Sequence, residues 1–271
     1  MPMTKIDWPT TGAGTWTDAI DIWKDWMTGV IRLSLTNYDS DSAPQITQGS
    51  LMDLGGSYFY AATAQTPTGS PSSNVFNYIY VETDGDVKWS TTAPTWNDAQ
   101  QAWINGTDRA VGGCWYDGTN YRAKWVYTNQ HAGPQPRTID VPMTGSSEDL
   151  TDAEGEGGGI NFTNAGGAAV SLFCPLPYMD KFYVESLITY SYSQTGGTLT
   201  VYLREGSLTA TGGTAMASNA HSSSGILTDT SITSPFMMYE DHQYYIEAEC
   251  DSTGFGWIAR ITITGQQVIR C

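Results

Sequence analysis

Basic residues are scarce in this chain: 12 Lys and Arg stand against 28 Asp and Glu, a formal net charge of −16. Nucleic-acid binding depends on clustered Lys and Arg, and no such cluster occurs, so a nucleic-acid partner is not expected. Histidine is scarcer still. His131, His221 and His242 are the full set, and nucleophilic catalysis needs a base beside its nucleophile. G-x-S-x-G, H-E-x-x-H and phosphate-loop patterns are all missing. His221, in N-A-H-S-S-S, and His242, in E-D-H-Q, read as surface or loop residues. The four cysteines, Cys114, Cys174, Cys250 and Cys271, form no C-x-x-C or Cys/His cluster, which argues against a zinc or redox site. The first three read as buried free thiols and Cys271 as exposed. No run of about 18 apolar residues is present to span a bilayer. The first residues lack the charged-then-apolar layout of a secretory signal. The expectation is a soluble protein made in a cytosol, without a metal or cofactor.

What is abundant is Thr, Ser, Gly and aromatic residues, with 10 Trp and 16 Tyr. They concentrate between Lys88 and Tyr127. Val87 to Ser90 reads as a strand, followed after Pro94 by a small amphipathic turn of helix holding Trp96 and Trp103. Asn105-Gly106 and Asp117-Gly118 turns then lead into two more strands. Within this stretch T-W-N-D-A-Q-Q-A-W (Thr95 to Trp103) repeats T-W-T-D-A-I-D-I-W (Thr15 to Trp23) in five of nine positions. In both, Thr is placed to cap a helix and Asp to meet its free backbone donors. The repeat marks either two similar caps or a duplicated docking element.

Taken in order, residues 1–28 form an N-terminal segment with a short amphipathic helix over Thr15 to Met27. Trp16, Ile20, Trp23 and Met27 recur at spacings of four, three and four. So short and apolar a helix must bury against something, its own β domain or a partner. From Gly29 the period changes to two, giving a β-rich middle domain over residues 29–143. Thr66 to Asn74 reads as a surface loop, and Tyr121, Ala123, Trp125 and Tyr127 share one strand face opposite Arg122, Lys124 and Val126. Residues 144–159 are acidic and Gly-rich, the signature of a linker. Residues 160–271 read as a C-terminal antiparallel β-sandwich of jelly-roll size. Its last strand places Trp257, Ala259, Ile261 and Ile263 against Ile258, Arg260, Thr262 and Thr264. The fold class is therefore mostly β.

Paired carboxylates could serve a glycosidase, but Asp84, Asp86, Asp108, Asp117, Glu240 and Asp241 lie mostly in turn-forming sequence, where Asp is favoured for local hydrogen bonds. The linker acids lack the EF-hand order. Sugar binding without catalysis fits better, with Trp and Tyr as platforms and Asp, Asn and Thr turns as polar edges.

The segment W-S-T-T-A-P-T-W-N-D-A-Q-Q-A-W-I-N-G-T-D-R, Trp89 to Arg109, resembles one found in structural proteins of tailed bacteriophages, especially fibre and appendage proteins. The resemblance covers about 20 residues, and the layout of helix, β-rich middle, Gly-rich linker and terminal β domain is similar too. It implies a non-enzymatic virion protein made in the host cytoplasm. Such a protein would be a homotrimer, docked on other virion proteins by its N-terminal part, with Trp16, Ile20, Trp23 and Met27 as docking residues, and displaying its β domains to a host receptor or glycan. Short tail fibre, head fibre and capsid decoration remain open. The alternative is a carbohydrate-binding or glycan-hydrolysing module.

Overall fold

A computed structural model describes residues 3–6, 30–37, 40–127, 133–141, 160–164, 170–176, 181–206, 213–233, 238, 242–250 and 254–268. Among these residues the protein is built of antiparallel strands, with no helix. The expected helix over Thr15 to Met27, with Trp16, Ile20, Trp23 and Met27, lies outside the described residues, as does the expected linker at 144–159. The chain divides into two compact units, Met1–Gly133 with Val268–Cys271, and Pro134–Gln267.

The first unit holds two sheets. Strands β1 (Thr4–Ile6), β2 (Val30–Arg32), β3 (Leu51–Leu54) and β4 (Ser57–Tyr60) are ordered β1-β4-β3-β2. The second sheet comprises β5 (Val75–Val81), β6 (Val87–Ser90), β7 (Thr95–Asn97), β8 (Ala102–Asn105), β9 (Asp108–Tyr116) and β10 (Tyr121–Val126). Its order is β6-β5-β9-β8-β7, with β10 also paired to β9. Met52 and Phe59 of the first sheet meet Ile79, Val81 and Val111 of the second in one core, together with Ile46. Each such side chain contributes about 1.5–3 kcal/mol by leaving water. β5 is buried along nearly its whole length, because its alternate residues Phe76 and Tyr78 pack on Trp125. That explains its run of apolar residues where one-sided burial would give alternation.

Two departures from the expected pattern follow from backbone geometry. Trp96 and Trp103 do not share a helix: they face each other across the β7–β8 hairpin, with ring centroids 5.5 Å apart. The Asn97 side chain accepts the Gln100 N–H at 3.0 Å, so the polar residues that resemble a helix cap close a turn instead. In β10 the register shifts between Arg122 and Trp125. Ala123, at φ 46°, and Lys124 together oppose Cys114, a bulge that carries Lys124 inward to 2% exposure. Beyond this extra residue the faces reverse: Arg122 pairs with Trp115 and Trp125 with Gly113, so Trp125 lies on the Arg122 side and the expected shared face of Tyr121 and Trp125 fails.

The same bulged strand depends on two glycines of β9. A Cβ at Gly113 would lie 2.3 Å from the Trp125 ring and 2.5 Å from the Asn77 carbonyl. One at Gly112 would lie 2.4 Å from the Trp125 carbonyl. The indole thus occupies space that any other residue would fill.

In the second unit, β11 (Pro134–Asp140), β12 (Ile160–Asn164), β14 (Phe182–Thr195), β17 (Gly225–Asp229) and β19 (Gly254–Val268) form a sheet ordered β11-β19-β14-β17, with β12 also on β19. β11 therefore lies in this unit, ahead of the expected linker. Strands β13 (Val170–Pro175), β15 (Leu199–Gly206), β16 (Thr214–His221) and β18 (Gln243–Cys250) form the other, ordered β13-β18-β15-β16. Phe182, Leu187 and Ile263 of one sheet share a core with Leu199, Val201 and Ile246 of the other. β19 is bulged: Tyr190 pairs with Arg260 but Ser191 with Ile258, which leaves Ala259 as the extra residue. The bulge brings Ile258 into the core with Ile261 and Ile263, where strict alternation would have set it on the opposite face.

Candidate functional site

Three loops meet at one end of the first unit, around three aromatic rings. Trp89 near the end of β6 lies 6.1 Å from Tyr121 at the start of β10, with the planes 26° apart. Tyr121 in turn lies 4.7 Å from Tyr116 at the end of β9. All three are half-buried, which leaves part of each ring in contact with solvent.

Each loop is fixed by a polar anchor. The loop at residues 37–41 is held by Lys124, whose Nζ donates to the carbonyls of Asn37 and Ser40. The Tyr121 N–H adds a bond to the Asp41 carbonyl at 3.0 Å. The loop before β5 is held by Asn77, buried at 1% exposure. Its Oδ1 accepts from Ser72 N at 2.8 Å, and its Nδ2 donates to Ser72 O at 2.9 Å. The β9–β10 loop is held by Asp117, which accepts the N–H groups of Thr119 at 2.8 Å and Asn120 at 2.6 Å, and Arg122 Nε at 3.0 Å. Partial burial opposes ionisation of Asp117, but these donors outweigh it and hold the carboxyl below the usual carboxylate range. Arg122 also stands 3.9 Å from Asp41, so the polar fringe beside the rings is close to charge-balanced. The arrangement offers aromatic surface edged by amide, hydroxyl and paired charged groups, chemistry suited to a hydroxyl-rich ligand.

The opposite turns of this unit surround an open cleft of about 220 Å³ lined by Leu54, Gly55, Ser57, Thr83, Gln100 and Thr107. No side chain in that lining is ionisable. Nearby, the carboxylates of Glu82, Asp84 and Asp86 lie within 4.8 Å of one another. Lys88 neutralises part of this charge, pairing with Glu82 and, at 2.7 Å, with Asp108. Asp84 Oδ1 accepts the Asp86 N–H at 3.1 Å, a turn-forming role.

Of the acids considered for catalysis, Asp84 and Asp86 lie together beside Glu82, and Lys88 links Asp108 to that group. Asp108 is paired with Lys88 and Asp117 anchors a loop, while His131, Glu240 and Asp241 lie outside the described residues. His242 Nδ1 stands 2.8 Å from Glu205 Oε1 on the surface. His221 corrects the sequence reading. It ends β16, is 2% exposed, and its Nε2 lies 2.7 Å from Thr189 Oγ1. Burial pushes its pKa below the ordinary histidine value. Thr189 is fully buried as well, so this hydroxyl–imidazole pair lies inside the second unit. Cys114 is likewise inert, its thiol pushed up to about 12 by burial. Sequence reasoning missed Lys124 and Asn77 as loop anchors; the positive-φ position at Ala123, which reveals the bulge, has no signal in the residue type.

No protein-family model matches the chain, and no curated protein matches it either. Among solved structures, the I1 and M1 variants of a protein titled Major Tropism Determinant each align at 18% identity with a TM-score of 0.30. Each alignment covers 43% of this chain and 34% of the other. A structure of the infectious bursal disease virus Gt strain aligns at 12% identity and a TM-score of 0.28, over 83% of this chain and 63% of that one. The chain thus spans less than two thirds of the length of each of these structures.

Proposed function

We propose that the protein is a non-enzymatic structural component of a virion, a fibre or a head or tail appendage. Its N-terminal part docks on other virion proteins, and its β units are displayed outward, with the second unit a jelly-roll-like sandwich. The observation that carries this reading is the loop end at Trp89, Tyr116 and Tyr121, where buried anchors hold three loops on an all-β frame. Rigid frames that present loops are suited to recognition. The phage-like segment from Trp89 to Arg109 supports the same reading, since it contributes Trp89 to that loop end. The ligand class that fits the rings and their balanced polar fringe is a host-surface glycan.

A glycan array combined with a reducing-sugar assay tests the reading. Binding without sugar release, lost in Tyr121→Ala, is the expected result; release of reducing ends would place the protein among glycan-hydrolysing enzymes. Labelling the protein on assembled particles tests the virion role, and absence of label from intact particles would refute it. Trp16→Ala combined with Trp23→Ala is expected to leave the β units folded and abolish incorporation.

A further inference from the structure

The second unit treats the two sides of one sheet differently. On the β19 side the edge is shared by β12 and β11, and β11 reads P-Q-P-R-T-I-D. Pro134 and Pro136 withhold backbone donors there, and the exposed Arg137 adds charge, the usual protection against unwanted strand pairing. On the other side, β17 pairs with β14 and with no further described strand. It reads G-I-L-T-D, without proline or a cation. Ile226 is 58% and Leu227 37% exposed, two of the four exposed large apolar side chains among the described residues. The one acid is turned back on its own unit. Asp229 accepts the N–H of Ser218 through Oδ2 and of Ser231 through Oδ1, both at 2.8 Å. On a chain with a net charge of −16, which repels its own copies at most surfaces, this edge carries one acid at its end, held by backbone N–H groups, and four uncharged residues.

We infer that β17 pairs antiparallel with β17 of a second copy of the chain across a two-fold axis, joining two sheets into one. A two-fold contact must be self-complementary, and this sequence satisfies the condition when centred on Leu227. Leu227 then faces Leu227 of the second copy, Ile226 faces Thr228, and Gly225 faces Asp229, with no like charges opposed. Ile226 lies opposite Tyr190, and Thr228 opposite Ile188, in the existing β14–β17 pairing. Those half-buried apolar residues of β14 therefore extend the strip across the axis. Five paired residues alone bury less than a standard interface, so the strip supplies the remaining contact. This contact is separate from the N-terminal docking and glycan binding proposed above.

The test uses the full chain. Sedimentation velocity of the wild type at increasing concentration is expected to show a reversible dimer. Ile226→Lys, at a site too exposed to disturb the core, is expected to weaken dimerisation about tenfold or more with an unchanged circular dichroism spectrum. In a Cys271→Ser background, Leu227→Cys is expected to form a disulfide-linked dimer under mild oxidation. Phe173→Cys, exposed on the other sheet at 49%, is the control expected to remain uncrosslinked. A wild type that stays monomeric, an oligomer whose mass Ile226→Lys leaves unchanged, or crosslinking at position 173 as fast as at 227 would each overturn the inference. A strand from a different virion protein on this edge would appear as the first of these outcomes.

Discussion

Acidification below the ordinary histidine pKa of about 6.5 is expected to destabilise the second unit through His221. The imidazole is buried and hydrogen-bonded to Thr189 at 2.7 Å, and burial lowers its folded-state pKa. Above pH ~6.5 the group is neutral in folded and unfolded chains alike, so its full contribution is present. As the pH falls, the unfolded chain takes up a proton that the folded unit refuses. Stability then declines with a limiting slope of about 1.4 kcal/mol per pH unit, until the depressed folded-state pKa is reached. Each 1 kcal/mol lost in this window lowers the melting temperature of a domain this size by roughly 3–5 °C. Differential scanning calorimetry from pH ~7.5 to ~5.5, a range that brackets histidine titration, measures this for the wild type and His221→Gln. The wild-type curve is expected to fall more steeply. Parallel curves for the two proteins would refute the reasoning, because the decline would then belong to other groups.

Trp96→Ala and Trp103→Ala remove half-buried rings that pack on each other, and Trp103 also packs on Tyr127 at 5.5 Å. Each is expected to cost about 2–3 kcal/mol, below the cost for a fully buried Trp, measured by urea unfolding. Lys124→Met keeps the volume but removes the Nζ donor from the Asn37 and Ser40 carbonyls, of which that of Asn37 keeps the bonds from Ser40 at 3.3 Å. A loss of about 1–3 kcal/mol and earlier proteolysis near residues 37–41 are the expected readouts. Limited proteolysis of the wild type is expected to cut first within 145–159, where acidic and Gly-rich sequence buries little apolar area. Resistance there would count against a linker.

Strands with strong local character were legible in the residues. Val87 to Ser90 matches β6 end for end, because Val and Trp alternate with polar residues just after the Asp84-Gly85-Asp86 turn. The β7–β8 hairpin was misread because Thr, Asn and Asp serve a helix cap and a tight turn by the same hydrogen bonds. Its Asp98 accepts the Trp96 indole N–H at 2.7 Å instead of meeting helix donors. β16 passed unnoticed since T-A-M-A-S-N-A-H has little strand propensity; its pairing with β15 imposes the conformation. The inward turn of Lys124 and Ile258 was hidden for another reason. A bulge adds one residue to a strand, and every face assignment beyond it reverses. Of the loop end, the turn chemistry at Asp117 could be read, whereas the meeting of Trp89 with Tyr121 depends on three successive strand pairings, β6–β5, β5–β9 and β9–β10.

The fit between Gly113 and the Trp125 ring also bears on how this sequence can drift. A change at Gly113 alone drives a methyl group into the indole, and a change at Trp125 alone empties the space the glycine leaves. Each single change costs stability, so descendants of this chain are expected to keep the pair or replace both together. A glycine facing a tryptophan across a bulged strand is therefore expected to persist in remote relatives of this unit after surface identity has decayed.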